Sequence, residues 1–200
     1  SCVKYIVQFP DRHFVFGRLE AFNKDGVIDD YFKSFLDDTF FDLSAEEQYH
    51  RLIMKGNCLT APTLFYHNRT KTLKKIVNDE SLPLLEDYPK WLNITKSGDK
   101  LYLLDAIIVS YRVHSLSISY GNSNPIFLRC NALCYMKYCF IYEFTKYPRQ
   151  AIFKYLFLMK YLNNNIITST LLFMYELIDR IYRILFKVRA IDKNYRRIYR

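Results

Sequence analysis

Two adjacent carboxylates, Glu86 and Asp87, are the residues of this sequence whose types and position point most directly to chemistry. Pro89 follows them, and apolar residues recur up to Gly98, which is typical of a helix with negative charge and proline in its first turn and glycine after its last. The N–H groups and positive dipole end of such a helix favour an ionised carboxylate. Asp87 is therefore predicted to be a fixed, charged proton acceptor. The simpler alternative is that Asp87 caps the helix and Glu86 is solvated.

The hydrophobic pattern predicts the strands of a sheet that could position this pair. Apolar runs bounded by turn residues identify four strands, at 14–22, from 27, at 100–105 and at 107–113. Residues 58–66 are also predicted to be extended. Pro62 assigns this segment to an edge or an irregular strand, because proline cannot donate to a ladder of hydrogen bonds.

The predicted helices alternate with these strands. Ser44 and Glu47 have the spacing of a capping box, which begins a helix that runs to about Lys55. A short basic helix is predicted at 70–77, and the helix after Asp87 comes next. Strands interleaved with helices favour an α/β layer structure for this part of the chain.

Length and composition restrict the class of protein. The chain has 200 residues, half of them hydrophobic, which is enough for one domain, or one domain with an appendage. The five cysteines are an odd number, and no secretory signal stands at the start. These features favour a reducing, cytoplasmic compartment over a disulfide framework.

Charge divides the chain more clearly than any linker does. Residues 1–124 contain 15 basic and 16 acidic side chains, whereas residues 125–200 contain 14 and 4, a net charge of +10. Turn residues stand at the boundary, from Gly121 to Pro125. We therefore predict an α/β part over 1–124 and a basic, aromatic-rich helical part over 125–200.

Apolar residues at helical spacing predict three helices in the basic part, at 126–144, 150–162 and from 170. None is expected to span a membrane, because charges such as Arg129 interrupt the first and asparagines precede the third. The helices either pack on the α/β part with a solvated basic face, or lie on an anionic surface at the inner face of the membrane. Nucleic acid is not an expected partner, since no nucleic-acid-binding module accompanies the charge.

Three cysteines of this part raise the question of a zinc site. Cys130 and Cys134 share a helical face, whereas Cys139 lies nine residues after Cys130 and is predicted to point nearly opposite. Free buried thiols are therefore expected in preference to a metal site.

Three sequence blocks, taken in order and spacing, carry a resemblance to a known family. They are Gly56-Asn57 with Ala61-Pro62-Thr63, Glu86-Asp87 with Trp91-Leu92, and Tyr111-Arg112-Val113-His114 with Ser117-Ile118-Ser119. Over about residues 14–119 they resemble the acceptor-side half of family 2 glycosyltransferases, which are inverting enzymes of the GT-A fold. The resemblance implies a partial GT-A-like layer, a mixed sheet with flanking helices, followed here by an all-helical C-terminal segment.

The resemblance also implies a role for each site residue. Asp87 would be the general base that deprotonates the acceptor hydroxyl, and Glu86 would orient the acceptor or Asp87. Arg112 and His114 would lie near the donor diphosphate, with His114 a candidate ligand of a divalent Mn²⁺ or Mg²⁺ ion. The alternative for Arg112 is a surface ion pair, and the alternative for His114 is a structural histidine. Trp91 is either an acceptor-binding ring or a core residue. A hydroxyl nucleophile needs a base, and a leaving diphosphate needs its charge neutralised.

One departure from the family concerns the donor site. The family's nucleotide-binding half, with the Asp-x-Asp motif that holds the metal, would precede Phe14, and only thirteen residues do so here. Asp29-Asp30 and Asp37-Asp38 follow that strand and are expected to be turn residues. We therefore expect a truncated, acceptor-side fragment whose activity by itself is in question.

Two functions from different classes follow. The first is transfer of a sugar from a nucleotide-sugar donor to a saccharide or lipid-linked acceptor, with Asp87 as base. The second is a non-catalytic remnant that binds a membrane surface or a partner protein through its basic C-terminal helices.

Overall fold

The computed structural model describes residues 2–28, 38–66, 79–114 and 125–163, and also residues 170, 174, 175, 177, 178, 180 and 181. Contacts divide the chain into two units, Ser1–Glu80 with Glu86–Tyr120, and Ser81–Leu85 with Gly121–Arg200. The first unit is mixed α/β, and the described part of the second is helical or without regular structure. The division after residue 120 lies next to the change in charge, whereas nothing in the charge pattern assigns 81–85 to the helical unit.

The α/β unit contains a four-stranded mixed sheet. Its strands are β1 Phe14–Asn23, β2 Gly26–Ile28, β3 Leu64–Tyr66 and β4 Leu101–Arg112. β1 pairs antiparallel with β2 and β3, and parallel with β4. Phe14, Val15 and Phe16 are all buried, and the first half of β1 pairs with β3 on one side and β4 on the other. Such a continuous apolar run is typical of a strand covered on both faces.

β4 corrects the prediction of two strands at 100–105 and 107–113. These residues form one strand whose register against β1 shifts twice, on either side of Arg18, because β4 contains residues there with no partner on β1. A bulge of this kind interrupts the alternation of side chains, which is the break that the sequence pattern shows. A Cβ at Gly17 would collide with the side chain of Ile108, so glycine lets the bulged strand come close.

Helices and one short turn complete the unit. They are α1 Cys2–Gln8, α2 Thr39–Asp42, α3 Ala45–Lys55, a 3₁₀ turn at Ala61–Thr63, and α4 Tyr88–Lys96. The capping box of α3 is confirmed, since Ser44 Oγ accepts from the Glu47 N–H at 3.3 Å and Glu47 Oε2 accepts from the Ser44 N–H at 2.8 Å. The helix predicted at 70–77 lies outside the described residues.

The core of this unit lies where α3 and α4 meet the sheet. The Trp91 ring of α4 meets the Phe16 ring of β1 edge-on, with centroids 5.1 Å apart. The first turn of α4 is also joined to α3, because the Tyr88 hydroxyl donates a buried hydrogen bond to the Leu52 carbonyl at 2.7 Å. The packing therefore determines where the N-terminus of α4 stands relative to the end of α3.

A single buried amide, that of Gln48, joins α3 to the start of β4. Gln48 is 0% exposed. Its Nε2 donates to the carbonyls of Phe40 and Leu101, at 3.1 and 2.9 Å, and its Oε1 accepts from the Leu101 N–H at 2.9 Å. A buried polar side chain is stable when its partners satisfy it, and Gln48 satisfies three backbone groups in return.

The helical unit contains α5 Pro125–Cys134, a π-helical turn at Tyr135–Cys139, α6 Phe140–Lys146 and α7 Pro148–Asn163. The first predicted helix is thus interrupted by a π turn, and the predicted break near Pro148 is present. The described residues between 170 and 181 are helical as well. In the described parts of the chain, no helix is long and apolar enough to cross a membrane.

The π turn corrects the prediction for Cys139. Cys130, Cys134 and Cys139 are all buried free thiols, although α-helical geometry would turn Cys139 away from Cys130. A π turn contains more residues than an α turn, so it rotates Cys139 back toward the interior. The expectation of buried, free cysteines is confirmed.

An ion pair lies at the centre of this unit. Glu143 of α6 is buried, and its Oε1 lies 2.9 Å from the Nζ of the buried Lys154 of α7. The Tyr135 hydroxyl donates to Glu143 Oε2 at 2.6 Å. The one acid of the segment from 125 to 146 therefore faces inward, where a cation and a hydroxyl compensate its burial.

Replacing Gln48 by Leu is expected to destabilise the fold by about 2 to 3 kcal/mol, because it leaves buried backbone groups of Leu101 and Phe40 without their partner. Urea unfolding measures the change. Gln8→Leu is the control, since Gln8 is exposed on α1 and should change stability by less than about 0.5 kcal/mol. Equal losses in the two variants would contradict this role of Gln48.

Candidate functional site

The candidate site lies where α3 ends and α4 begins. Gly56 ends α3 with φ 88°, a left-handed conformation that glycine adopts without strain. The chain then leaves the helix at Asn57. The N-terminus of α4 lies beside this turn, because Asn57 Nδ2 donates to Asp87 Oδ2 at 3.1 Å. The first two sequence blocks of the resemblance, 30 residues apart, therefore meet at one hydrogen bond.

Both carboxylate oxygens of Asp87 accept a hydrogen bond. Oδ1 accepts from the backbone N–H of Tyr88 at 2.7 Å, and Oδ2 accepts from Asn57. Asp87 is thus the cap of α4, as the simpler alternative expected, and it is held from α3 as well. Each oxygen keeps lone-pair capacity for one more donor, so capping does not exclude accepting a proton from a bound hydroxyl.

Asp87 is half-buried, and its environment changes its acidity. Burial raises the pKa of the Asp87 carboxyl, and the hydrogen bonds from Asn57 and the Tyr88 N–H act against that rise; the negative charge of Glu86 adds slightly to it. Desolvation is the largest of these effects, since it disfavours the charged form. A carboxylate with a raised pKa is a stronger base than a solvated one, which is the property that proton abstraction needs.

Glu86 and Trp91 stand in opposite environments. Glu86 is exposed, and its negative charge acts on the neighbouring Asp87. Trp91 is 1% exposed and packs on Phe16. A stacking platform for a sugar needs an open ring face, so the structure corrects the acceptor-binding expectation for Trp91: its ring is part of the core.

Arg112 and His114 lie at the far end of β4. Both are exposed, and the Arg112 guanidinium stands over the Phe22 ring, 5.6 Å from its centroid. Neither makes a hydrogen bond or ion pair with Asp87. β1 and β4 are parallel, so both strands finish at this end of the sheet. Asp87 stands instead at the start of α4, beside the turn that follows α3.

The described residues do not form a metal site. Among them, no group of three or more His, Cys, Asp or Glu side chains could hold an ion, and exposed His114 by itself is an insufficient ligand set. Asp38, from one of the upstream aspartate pairs, is hydrogen-bonded to Arg18 at 2.8 and 3.1 Å. Together with Asp105 it raises the pKa of Arg18 above its usual range. Asp38 therefore has an ion-pairing role here.

Asn57 is a site residue for which the sequence alone predicts no role. It belongs to the first block of the resemblance, but a lone asparagine after a helix glycine is an ordinary turn residue. Only its contact with Asp87, 30 residues later in the chain, distinguishes it from other turn asparagines.

Comparisons with protein-family models, with curated protein sequences and with solved structures found no match. Any functional assignment therefore depends on the residues and geometry described above.

Replacing Asp87 by Asn is expected to stabilise the fold at neutral pH. A raised native pKa means that the native state binds the proton more tightly than the unfolded state. The wild-type chain therefore loses stability as pH rises from the ordinary aspartate pKa through the native one, by about 1.4 kcal/mol per unit of difference. The uncharged variant has no such loss.

Urea unfolding at a series of pH values from about 3 to 7 measures this difference. The advantage of Asp87→Asn should be present at pH 7 and disappear below the ordinary aspartate pKa. Glu80→Gln is the matched control, since Glu80 is exposed and does not act on the Asp87 carboxyl. An advantage that is the same at every pH would show that Asp87 does not titrate with a raised pKa.

Proposed function

We propose that this chain is the acceptor-side part of an inverting glycosyltransferase in which Asp87 is the general base. The observation that carries the proposal is the Asp87 carboxylate itself. It is half-buried, its pKa is raised, and both of its oxygens are held by hydrogen bonds at the junction of α3 and α4. The resemblance to family 2 glycosyltransferases supplies the reaction, and the geometry supports the role of the base.

The reaction begins with an acceptor hydroxyl bound against Asp87. The carboxylate takes the hydroxyl proton while the oxygen attacks the anomeric carbon of the nucleotide-sugar. The bond between that carbon and the diphosphate oxygen breaks, and the nucleoside diphosphate leaves with the electron pair. Attack from the face opposite the leaving group inverts the anomeric configuration. Glu86, exposed beside the base, contributes by holding a neighbouring hydroxyl of the acceptor.

The position of Arg112 and His114 supports a donor at the carboxyl end of β4. Ligands of open α/β sheets bind beyond the carboxyl ends of parallel strands. Arg112 and His114 stand at that end of β4, which finishes beside the end of the parallel strand β1. In this proposal Arg112 contacts the donor diphosphate, where a guanidinium matches the geometry of phosphate oxygens, and His114 offers a further hydrogen bond.

The GT-A-like layout belongs to the proposal too. The sheet in which β1 and β4 are parallel would be the acceptor-side part of such a fold. The nucleotide-binding half, and the ligands of the divalent cation that the resemblance implies, would come from outside the described residues.

A second candidate function, attachment to an anionic membrane surface, is favoured by one stripe of the helical unit. Its residues recur every three or four positions along α5, the π turn and α6, and all are exposed. Four are apolar and two are basic: Ile126, Arg129, Leu133, Lys137, Ile141 and Phe144. The segment's one acid, Glu143, is buried. Apolar contact and attraction to anionic headgroups both favour such a surface.

Replacing Asp87 by Asn is expected to reduce glycosyl transfer by about 10²- to 10⁴-fold, because the acceptor hydroxyl then has no base. Nucleoside diphosphate release is measured with a panel of nucleotide-sugars and with saccharide and lipid-linked acceptors. The protein assayed is the full-length gene product that contains this chain. Glu86→Gln should have a smaller effect. Unchanged turnover in Asp87→Asn, with donor binding intact, would exclude Asp87 as the base.

The membrane candidate predicts that the chain floats with vesicles containing anionic lipid and not with neutral ones, and that salt weakens the binding. Leu133→Glu combined with Ile141→Glu should reduce the binding at least about tenfold, since two charges then oppose insertion of the stripe. The matched control is Val3→Glu with Val7→Glu, an equal change of charge at exposed apolar residues of α1. Equal losses in both pairs would assign the effect to net charge rather than to the stripe.

A further inference from the structure

Asn57 occupies a turn in which a local hydrogen bond holds its side chain. It follows Gly56 at the end of α3, and its Oδ1 accepts a hydrogen bond from the backbone N–H of Leu59 at 3.0 Å. This side-chain turn is a common local structure of asparagine. Because a backbone N–H requires an acceptor, the amide oxygen must face Leu59, and the amide nitrogen then faces away from it.

The amide nitrogen meets the carboxylate of Asp87. Nδ2 donates to Oδ2 at 3.1 Å, while Oδ1 of the same carboxylate accepts from the Tyr88 N–H. Rotation of the carboxylate about its Cβ–Cγ bond would break one of these hydrogen bonds. Its plane is therefore determined by two elements, the backbone of α4 and the turn that follows α3.

We infer that Asn57 is a positioning residue for the Asp87 carboxylate, an inference that rests on the proposed function for its catalytic meaning. The amide acts through Asp87 and contacts neither the acceptor nor the donor. It orients the lone pairs of the base toward the place where an acceptor hydroxyl would lie. Correct orientation of reacting groups contributes strongly to the rate of enzymatic reactions.

The neutrality of the amide matters as much as its geometry. A lysine or arginine at this position would orient the carboxylate too, but a cation beside an aspartate lowers its pKa by about 1 to 3 units and weakens it as a base. Asn57 donates a hydrogen bond without adding a charge. The neighbouring Cys58 adds none either, since burial raises the pKa of its thiol to about 11. Glu86 is the charged residue that acts on Asp87.

Carbon-detected NMR titration of the Asp87 carboxyl in the 200-residue chain tests this directly. Asn57→Leu removes the donor and should raise the pKa of Asp87 by about one unit. Asn57→Asp keeps the shape and the acceptor for Leu59, replaces the donor by a second carboxylate, and should raise it further. Asn93→Leu is the control on α4, since the Asn93 side chain makes no hydrogen bond to Asp87.

Two results would overturn the inference. The first is an unchanged pKa of Asp87 in Asn57→Leu and Asn57→Asp chains that remain folded by their amide spectra. The second is an equal shift in the Asn93 control. Because the titration needs no substrate, it tests the contact between Asn57 and Asp87 even if the chain does not transfer a sugar.

Kinetics of the full-length gene product then test the catalytic meaning. Asn57→Leu should lower kcat about 10- to 100-fold with the donor KM unchanged. It should also move the acid limb of the pH profile upward by the shift that NMR measures. A merely structural role would not move that limb.

If Asp87→Asn retains full turnover, the proposed function is wrong and the catalytic role of Asn57 is excluded with it. If the pKa of Asp87 shifts in Asn57→Leu but the acid limb of the pH profile does not, the positioning role of Asn57 is excluded while the proposed function stands.

Discussion

The hydrogen bond between Asn57 and Asp87 is the constraint on which the candidate site depends. It joins the turn after α3 to the cap of α4, and it is supported by the Tyr88 hydroxyl on Leu52 and by Trp91 against Phe16. These contacts place the N-terminus of a helix, a carboxylate and a neutral donor at one point. Without the packing of α3 against α4, Asp87 would be an ordinary helix cap in solvent.

Two opposing effects determine the character of that carboxylate. Burial makes the ionised form costly, and hydrogen bonds to both oxygens recover part of the cost. A fully solvated aspartate would be a weaker base, and one held by a cation would be weaker still. The Asp87 carboxylate is therefore both oriented and more basic than a solvated one. The cost is a lower stability of the folded chain when Asp87 is ionised. Such local costs are common where proteins carry out chemistry.

Several features of the fold were predictable because they depend on neighbours in the chain. The capping box at Ser44, the start of α4 after Asp87 and the strand β1 follow from local hydrogen bonding and from runs of apolar residues. The bulge that keeps β4 continuous and the π turn that buries Cys139 were not predictable. The bulge adds residues to a strand and the π turn adds residues to a helix. Tertiary packing determines where such additional residues are accommodated.

The sequence by itself determined which residue types were available: an acidic pair at a helix start, a polar pair after a helix glycine, and a basic helical segment. Tertiary structure decided how they are used. Trp91 is buried because its ring packs against Phe16 of β1. Asn57 and Asp87 are in contact although 30 residues of chain separate them. Proximity of residues distant in sequence results from packing, and neither composition nor local spacing specifies it.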